Sequence, residues 1–469
     1  MLSTLIDWVA AHPYQTVGLI LPLVIPLALF QILPLLVLME RRGAAFIQDR
    51  AGPNRAGINI SFESITALVF RLRFEPLMNM QAKTGLKLRA FGMIFNLTDA
   101  VKLLFKEHFT PPFVHKGYYR VAPAIPLITG LLTPALIPWF SPIVYEGGVL
   151  SGQTIDANSG ILMLFALASL SVYGVVLGSW ASNSKYSLLG GMRASAMMIS
   201  YEVSMGLSVI GMLMIVGSVS LTDVVEWQGT HTWGVVVQPV GFLLFLISMF
   251  AECNRNPFDV AEGESEIVAG FHTEFNGVKF MLYMSAEYLH MIIASVLIAT
   301  VYFGGYQILP FPGFGPEWVK AHIGSIVALM LTGLSVALIG FAWLIKGRKA
   351  IHARSDANAQ DKRDRAREYG VYMALFSLAG LGLLGAAGAA CVYVNLAHLS
   401  AGWIDFVTAL VQFNIVITKA LLFCWLFVWV RWTLPRFRYD QIMDLGWKVL
   451  LNIALVNLLV TAVVAKLIG

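Results

Sequence analysis

Cysteine is scarce in this chain. Its 469 residues hold three, Cys253, Cys391 and Cys424. They form no C-x-x-C pair, no zinc spacing and no disulfide framework. The expectation is therefore no metal site and no iron–sulfur cluster on this chain. Charge is scarce too. Only 13% of residues are Asp, Glu, Lys or Arg, about half the usual share of a soluble domain. The N-terminus lacks the basic stretch of a cleaved signal, and its first apolar run is long enough to span. No internal repeat is evident. The net charge of +5 is spread over connections rather than over a folded face, so nucleic acid is not an expected partner.

What fills the chain is apolar. Hydrophobic residues make up 58%, and the mean hydropathy is +0.73. The expected fold class is an all-α polytopic membrane protein. Runs of about 20 mostly apolar residues mark spanning helices. Ten candidates cover 17–38, 121–144, 159–181, 195–217, 235–251, 279–304, 323–346, 371–396, 406–430 and 447–467. The expected division is 1–346 with seven helices, a charged linker at 347–370, and 371–469 with three more.

Basic residues orient such a chain. Of the 32 Lys and Arg, thirteen lie in 39–120, eight in 346–370 and four in 431–448. With ten crossings, these stretches share one side with 182–194 and 252–278. That side is read as the cytoplasm, with both termini outside. Residues 58–95 are too interrupted by charge to span. The following "FNLTDAVKLLFKEHF" gathers Leu97, Val101, Leu104 and Phe105 on one face, which predicts an interfacial helix lying along the membrane.

The densest acid cluster sits between two apolar runs. "AECNRNPFDVAEGESEIVAGFHTEF" (251–275) holds Glu252, Asp259, Glu262, Glu264, Glu266 and Glu274, answered only by Arg255. Within or beside the spans lie Glu202, Glu287 and Lys419. A charge at the bilayer centre costs roughly 2.5–3.5 kcal/mol on insertion scales. Buried ion pairs holding helices together are one reading. A carboxylate proton relay is the other, and several acids at different depths favour it, because burial and like charges tune carboxyls toward neutral pH. Lys419 is expected to hold a nearby Glu ionised or to trade charge with it. His290, one turn after Glu287, and His272 read first as packing histidines.

Six stretches, in this order, resemble the H subunit of proton-translocating NADH:quinone oxidoreductase, respiratory complex I. They are "MERRGAAFIQDRAGPNRAGI" (39–58), "DAVKLLFKE" (99–107), "SNSKYSLLGGMRASAMMISYEV" (182–203), the acid loop, "SAEYLHMIIAS" (285–295) and "WVRWTLPRFRYDQIMDLGWK" (429–448). The resemblance implies a multi-pass component of the bacterial inner membrane, forming the quinone access tunnel and the start of a carboxylate proton path. Glu40, Arg41, Arg50, Arg55, Asp99, Arg255, Arg431, Arg436, Arg438 and Asp440 would then line the tunnel and its loops. Glu202, Glu252, Asp259, Glu262, Glu264, Glu266, Glu287 and Lys419 would form the path. Quinone is the implied substrate. NADH, FMN and the iron–sulfur clusters belong to partner subunits. Those partners include the terminal-cluster subunit, the peripheral subunit at the quinone site and small membrane subunits.

The chain also departs from the family pattern. Residues 58–95 intervene before the surface helix, two helices near 323–346 and 371–396 exceed the usual eight, and Met197 replaces a frequent Gln. The charge run joining the extra helices reads as a solvated linker. Two other functions share these features: the homologous component of a membrane-bound hydrogenase or formate-linked complex, and a stand-alone secondary transporter.

Overall fold

A computed structural model describes residues 13–50, 52–53, 58–60, 86–145, 148–155, 157–354, 359–395 and 401–468. Two compact units are distinguished. One comprises Met1–Ile47, Ala100–Trp318 and Asp405–Gly469, the other Gln48–Asp99 and Val319–Ile404.

The first unit opens with α1 (Pro13–Ile47), whose inward residues Ile25, Leu29, Leu33 and Leu36 repeat at helical spacing. Helix α2 (Met93–Phe105) is divided between the units at Asp99 and Ala100, and further along the chain lie α3 (Lys116–Val121), α4 (Ala124–Leu132), α5 (Gly160–Ala181) and α6 (Lys185–Val216). Gly217 closes α6 in the left-handed conformation, with φ of 75°, the usual glycine stop. Then come α7 (Leu221–Thr230), α8 (Pro239–Glu252) and α9 (Gly277–Tyr302).

Helix α9 is the centre of the unit. Of its most apolar window 72% is buried, against 44% or less for the other long apolar helices. Its face Met291–Tyr302 is continuously buried, so it needs no polar side. The remaining long helices turn much of their apolar surface outward, as lipid-facing helices do.

The second unit holds the extra helices, α10 (Ile323–Arg354) and α11 (Ala359–Asn395). Both run on into the charge run, whose Lys, Arg, Glu and Ala residues suit a helix. Only 355–358 fall outside the described residues there. The insertion joins this unit. A short antiparallel pair, β1 (Ile58–Ile60) with β2 (Leu86–Leu88), brings Arg89 to α11, where Glu368 accepts its backbone N–H at 2.6 Å and the Tyr372 hydroxyl at 2.9 Å. Phe91 stacks among Phe341, Tyr372 and Phe376. The two departures from the family pattern thus pack on one another.

The chain ends with α12 (Ala401–Thr433), α13 (Tyr439–Asp444), a π-helical turn over Leu445–Leu450, and α14 (Leu451–Ile468).

Eight of the ten expected spans are long continuous apolar helices. The other two are shorter and broken. In 121–144, Pro123, Pro126, Pro134 and Pro138 split the run into α4 and a 3-10 turn, Thr133–Leu136. In 235–251, the extended Gln238 separates a single turn from α8, which starts at Pro239. Helix α2 matches its interfacial reading. Ile94 and Asn96 face inward, while Leu97, Val101, Leu104 and Phe105 are exposed, Phe105 by 85%.

Candidate functional site

The acid loop between α8 and α9 does not hang in solvent. Arg255, Asp259, Val260 and Ala261 are buried, and the loop folds back beneath the helix ends. Its chain reversal depends on Gly270. Its φ is +57°, and a Cβ there would stand 1.7 Å from the Ala261 carbonyl oxygen, so no other residue fits. The Ser187 hydroxyl on α6 donates to the Phe271 carbonyl at 2.8 Å and anchors the turn.

Arg255 is the hub. Its guanidinium is only 2% exposed. Nη1 donates to Glu40 Oε2 at 3.0 Å. Nε stands 3.1 Å from Glu287 Oε1, an ion contact lying off the N–H direction. The ring of Tyr288 lies 4.3 Å from the guanidinium carbon. Arg431, near the end of α12, reaches the other oxygen of Glu40 at 2.6 Å, and the Tyr288 hydroxyl donates to Glu40 Oε2 at 2.9 Å. Two arginines and two carboxylates from α1, the acid loop, α9 and α12 therefore meet in one buried cluster. Isolated burial of any one charge would be prohibitive, and mutual pairing makes the set tolerable.

The last loop docks on the acid loop. Phe437 N–H donates to the Pro257 carbonyl at 3.1 Å, and Arg436 Nη2 to Asp259 Oδ2 at 2.8 Å. Burial raises the Asp259 carboxyl, and Arg436, Arg431 and Arg255 oppose that rise. Glu262 is opposed only by Arg431 and Arg255, without Arg436, and they do not prevail. Burial first, then the charges of Glu287 and Asp259, push its carboxyl up to about 8.

From Glu262 and Glu287 a cavity leads to Glu252. Its volume open to the centre of a water molecule is about 50 Å³, room for a few waters. A second cavity, about 30 Å³, begins at Glu252 and runs among Phe165, Met205, Met249 and Leu297. Glu252 is buried, and neither of its oxygens has a hydrogen-bond partner among the described residues. Glu202 lies on α6, where its Oε1 accepts the Ser169 hydroxyl at 2.8 Å.

Other expected residues do not join the cluster. Arg438 and Asp440 pair with each other at 3.1 Å and are largely exposed. Glu266 pairs with Arg193 at 2.5 Å near the surface. Arg41 is exposed on α1, and Arg50, bonded to Gln48 at 2.7 Å, and Asp99 belong to the second unit. Arg55 lies outside the described residues, as does the side chain of Glu264. Lys419 has backbone partners instead of the expected carboxylate. Its ammonium donates to the carbonyls of Phe303 (2.7 Å), Gly305 (2.9 Å) and Gln307 (2.5 Å), beneath the Trp233 ring. Those carbonyls follow the C-terminal end of α9 at Tyr302, where a cation is favoured. Tyr288 was legible only as the neighbour of Glu287. Its bond to Glu40, 248 positions away, leaves no local signal.

The NADH dehydrogenase family model matches residues 19–346 and 367–462. The chain belongs to this family. It is 34% identical over 422 residues to an NADH-quinone oxidoreductase H subunit of Cytophaga hutchinsonii, covering 90% of this chain and 89% of that one. The H subunit from Flavobacterium psychrophilum is 34% identical over 424 residues, 90% of each chain. That of Bdellovibrio bacteriovorus is 36% identical over 467 residues, 94% of each. The family match runs unbroken across the 58–95 insertion and passes over 347–366. Within the NADH dehydrogenase family, then, the charge run is the part of the extra hairpin that the shared pattern leaves out.

Proposed function

We propose that this chain is the membrane component of an NADH:quinone oxidoreductase that receives the quinone and starts the carboxylate path coupling its reduction to proton translocation. The observation carrying this reading is the buried cluster Glu40–Arg255–Glu287–Arg431, which opens through Glu262 onto a cavity ending at Glu252. Quinone reduction takes up two protons, so it changes charge beside this cluster. Arg255 contacts both Glu40 and Glu287 and is always protonated. A charge change near it redistributes between the two carboxylates. Glu262, poised near neutral pH, exchanges a proton in response, and Glu252 passes it along cavity water. Glu202 continues the path, held by Ser169.

The energetics require partners. Moving one charge against 100 mV costs about 2.3 kcal/mol. A chain with three scattered cysteines does not supply that. The terminal iron–sulfur subunit, the peripheral quinone-site subunit and small membrane subunits deliver the electrons and continue the path, with NADH, FMN and clusters on those partners. The clustering of basic residues in 39–120, 346–370 and 431–448 supports an acid loop on the cytoplasmic side and both termini in the periplasm of a bacterial inner membrane.

Glu202→Gln and Glu287→Gln test this. Gln keeps size and hydrogen bonding but does not titrate. Both variants are expected to assemble at parental abundance and to lose most NADH-driven acidification of sealed vesicles, while the Asp variants retain more. Full pumping in both Gln variants would leave the carboxylates as helix glue and reject the path.

A further inference from the structure

His290 occupies the same place as Glu252. The two side chains, together with Cys253, line both cavities, the larger one toward Glu262 and the smaller one toward Leu297. Its orientation is fixed. Nε2 lies 3.0 Å from the carbonyl oxygen of Pro126 on α4. A carbonyl only accepts, so Nε2 carries the hydrogen and Nδ1 keeps a lone pair. The ring is also wedged sterically. A Cβ on Gly130, one turn along α4 from Pro126, would stand 3.3 Å from both Cδ2 and Nε2 of the imidazole. A histidine that merely fills space needs no lone pair facing a cavity shared with an unpartnered carboxyl.

From this geometry we infer that His290 is a proton-holding residue beside Glu252, a role that rests on the carboxylate path proposed above. Because Nε2–H is tied to Pro126, the imidazole cannot pass a proton straight through. It takes one on Nδ1 and returns it from the same nitrogen. The step is balanced within the pair. A proton leaves the Glu252 carboxylic acid through cavity water and bonds to Nδ1, producing carboxylate and imidazolium. The reverse step restores both neutral groups. The net charge of the pair is unchanged, which avoids burying an uncompensated charge. The other titratable groups facing the larger cavity are Glu262, Glu287, Tyr283 and Cys253, and the smaller one adds none.

His290→Gln separates proton holding from packing. The Gln amide N–H reaches the Pro126 carbonyl but offers nothing that titrates. The variant is made in the intact complex beside Glu252→Gln. Abundance, NADH-driven acidification of sealed vesicles, and the rate from pH 6 to 9 are then measured. The expected result is parental abundance, pumping reduced on the order of 10²-fold, the lower end of what a positioned proton-transfer group contributes, and loss of one limb of the pH profile. If Glu252→Gln stops pumping while His290→Gln keeps the parental rate and profile, the role of His290 is overturned and the path stands. If Glu252→Gln pumps normally, the path itself fails, and this inference with it. Failure of both His290→Gln and His290→Asn to assemble makes His290 a packing residue and overturns the inference as well.

Discussion

At the scale of residues, the site is an exercise in pairing charges that water has abandoned. Arg255→Ala leaves Glu40 without one of its donors and Glu287 without its cation. Removing one partner of a buried pair costs about 3–5 kcal/mol, so this variant is expected to lower the thermal midpoint of the complex and abolish quinone reduction, both measurable in detergent. Arg438→Ala, which removes an exposed pair, is expected to leave stability unchanged. Glu262 has the opposite sign. Its carboxyl is raised in the folded state to about 8. Protonation therefore favours the fold, and its stabilising effect is full below the ordinary carboxyl range and lost as pH rises toward 8. Glu262→Gln fixes the neutral form. Its Tm is expected to match the parent at pH 5 and exceed it at pH 9, as read by a thermal shift series. Glu287, Glu262 and Arg255 stand out in the sequence, because charge within or between apolar runs is expensive, whereas Glu40 and Arg438 are marked only by the family resemblance. Their partners are not legible there. Glu40 and Arg255 lie 215 positions apart, and no local pattern records such a contact.

At the scale of elements, hydropathy located most helices and failed where proline intervened. The run 121–144 is apolar enough to span, yet its five prolines interrupt the hydrogen-bond ladder. Within α4, the Pro126 carbonyl takes the His290 bond. The charge run 347–370 reads as a solvated linker, and α10 and α11 both extend into it as helix. Inside the acid loop, Gly270 tolerates no side chain, because a Cβ would meet the Ala261 carbonyl. Gly270→Ala is expected to combine a strained φ with a backbone clash, each worth roughly 1–3 kcal/mol. Faster protease cleavage within 253–276, with the surrounding helices intact, is the measurement that checks it.

At the scale of the whole molecule, the family pattern skips 347–366, while Arg89, Glu368 and Tyr372 tie the insertion to α11 just beyond it. Deleting 352–366 is expected to leave assembly on native gels and quinone reduction near parental. A complex that fails to form would make the segment a docking element. Lys419 has a different importance from the one its sequence implied. It grips the carbonyls that follow α9, while Arg431, twelve residues further along α12, holds the Glu40 cluster that α9 reaches through Glu287 and Tyr288. Helix α12 thus acts as a splint along the most buried helix of its unit, fastened at two heights. A piston stroke of α9 would tear both fastenings at once. On the path proposed above, signals along that helix would travel as changes of charge and hydrogen bonding between side chains that stay where they are, more like current in a fixed wire than travel of a rod.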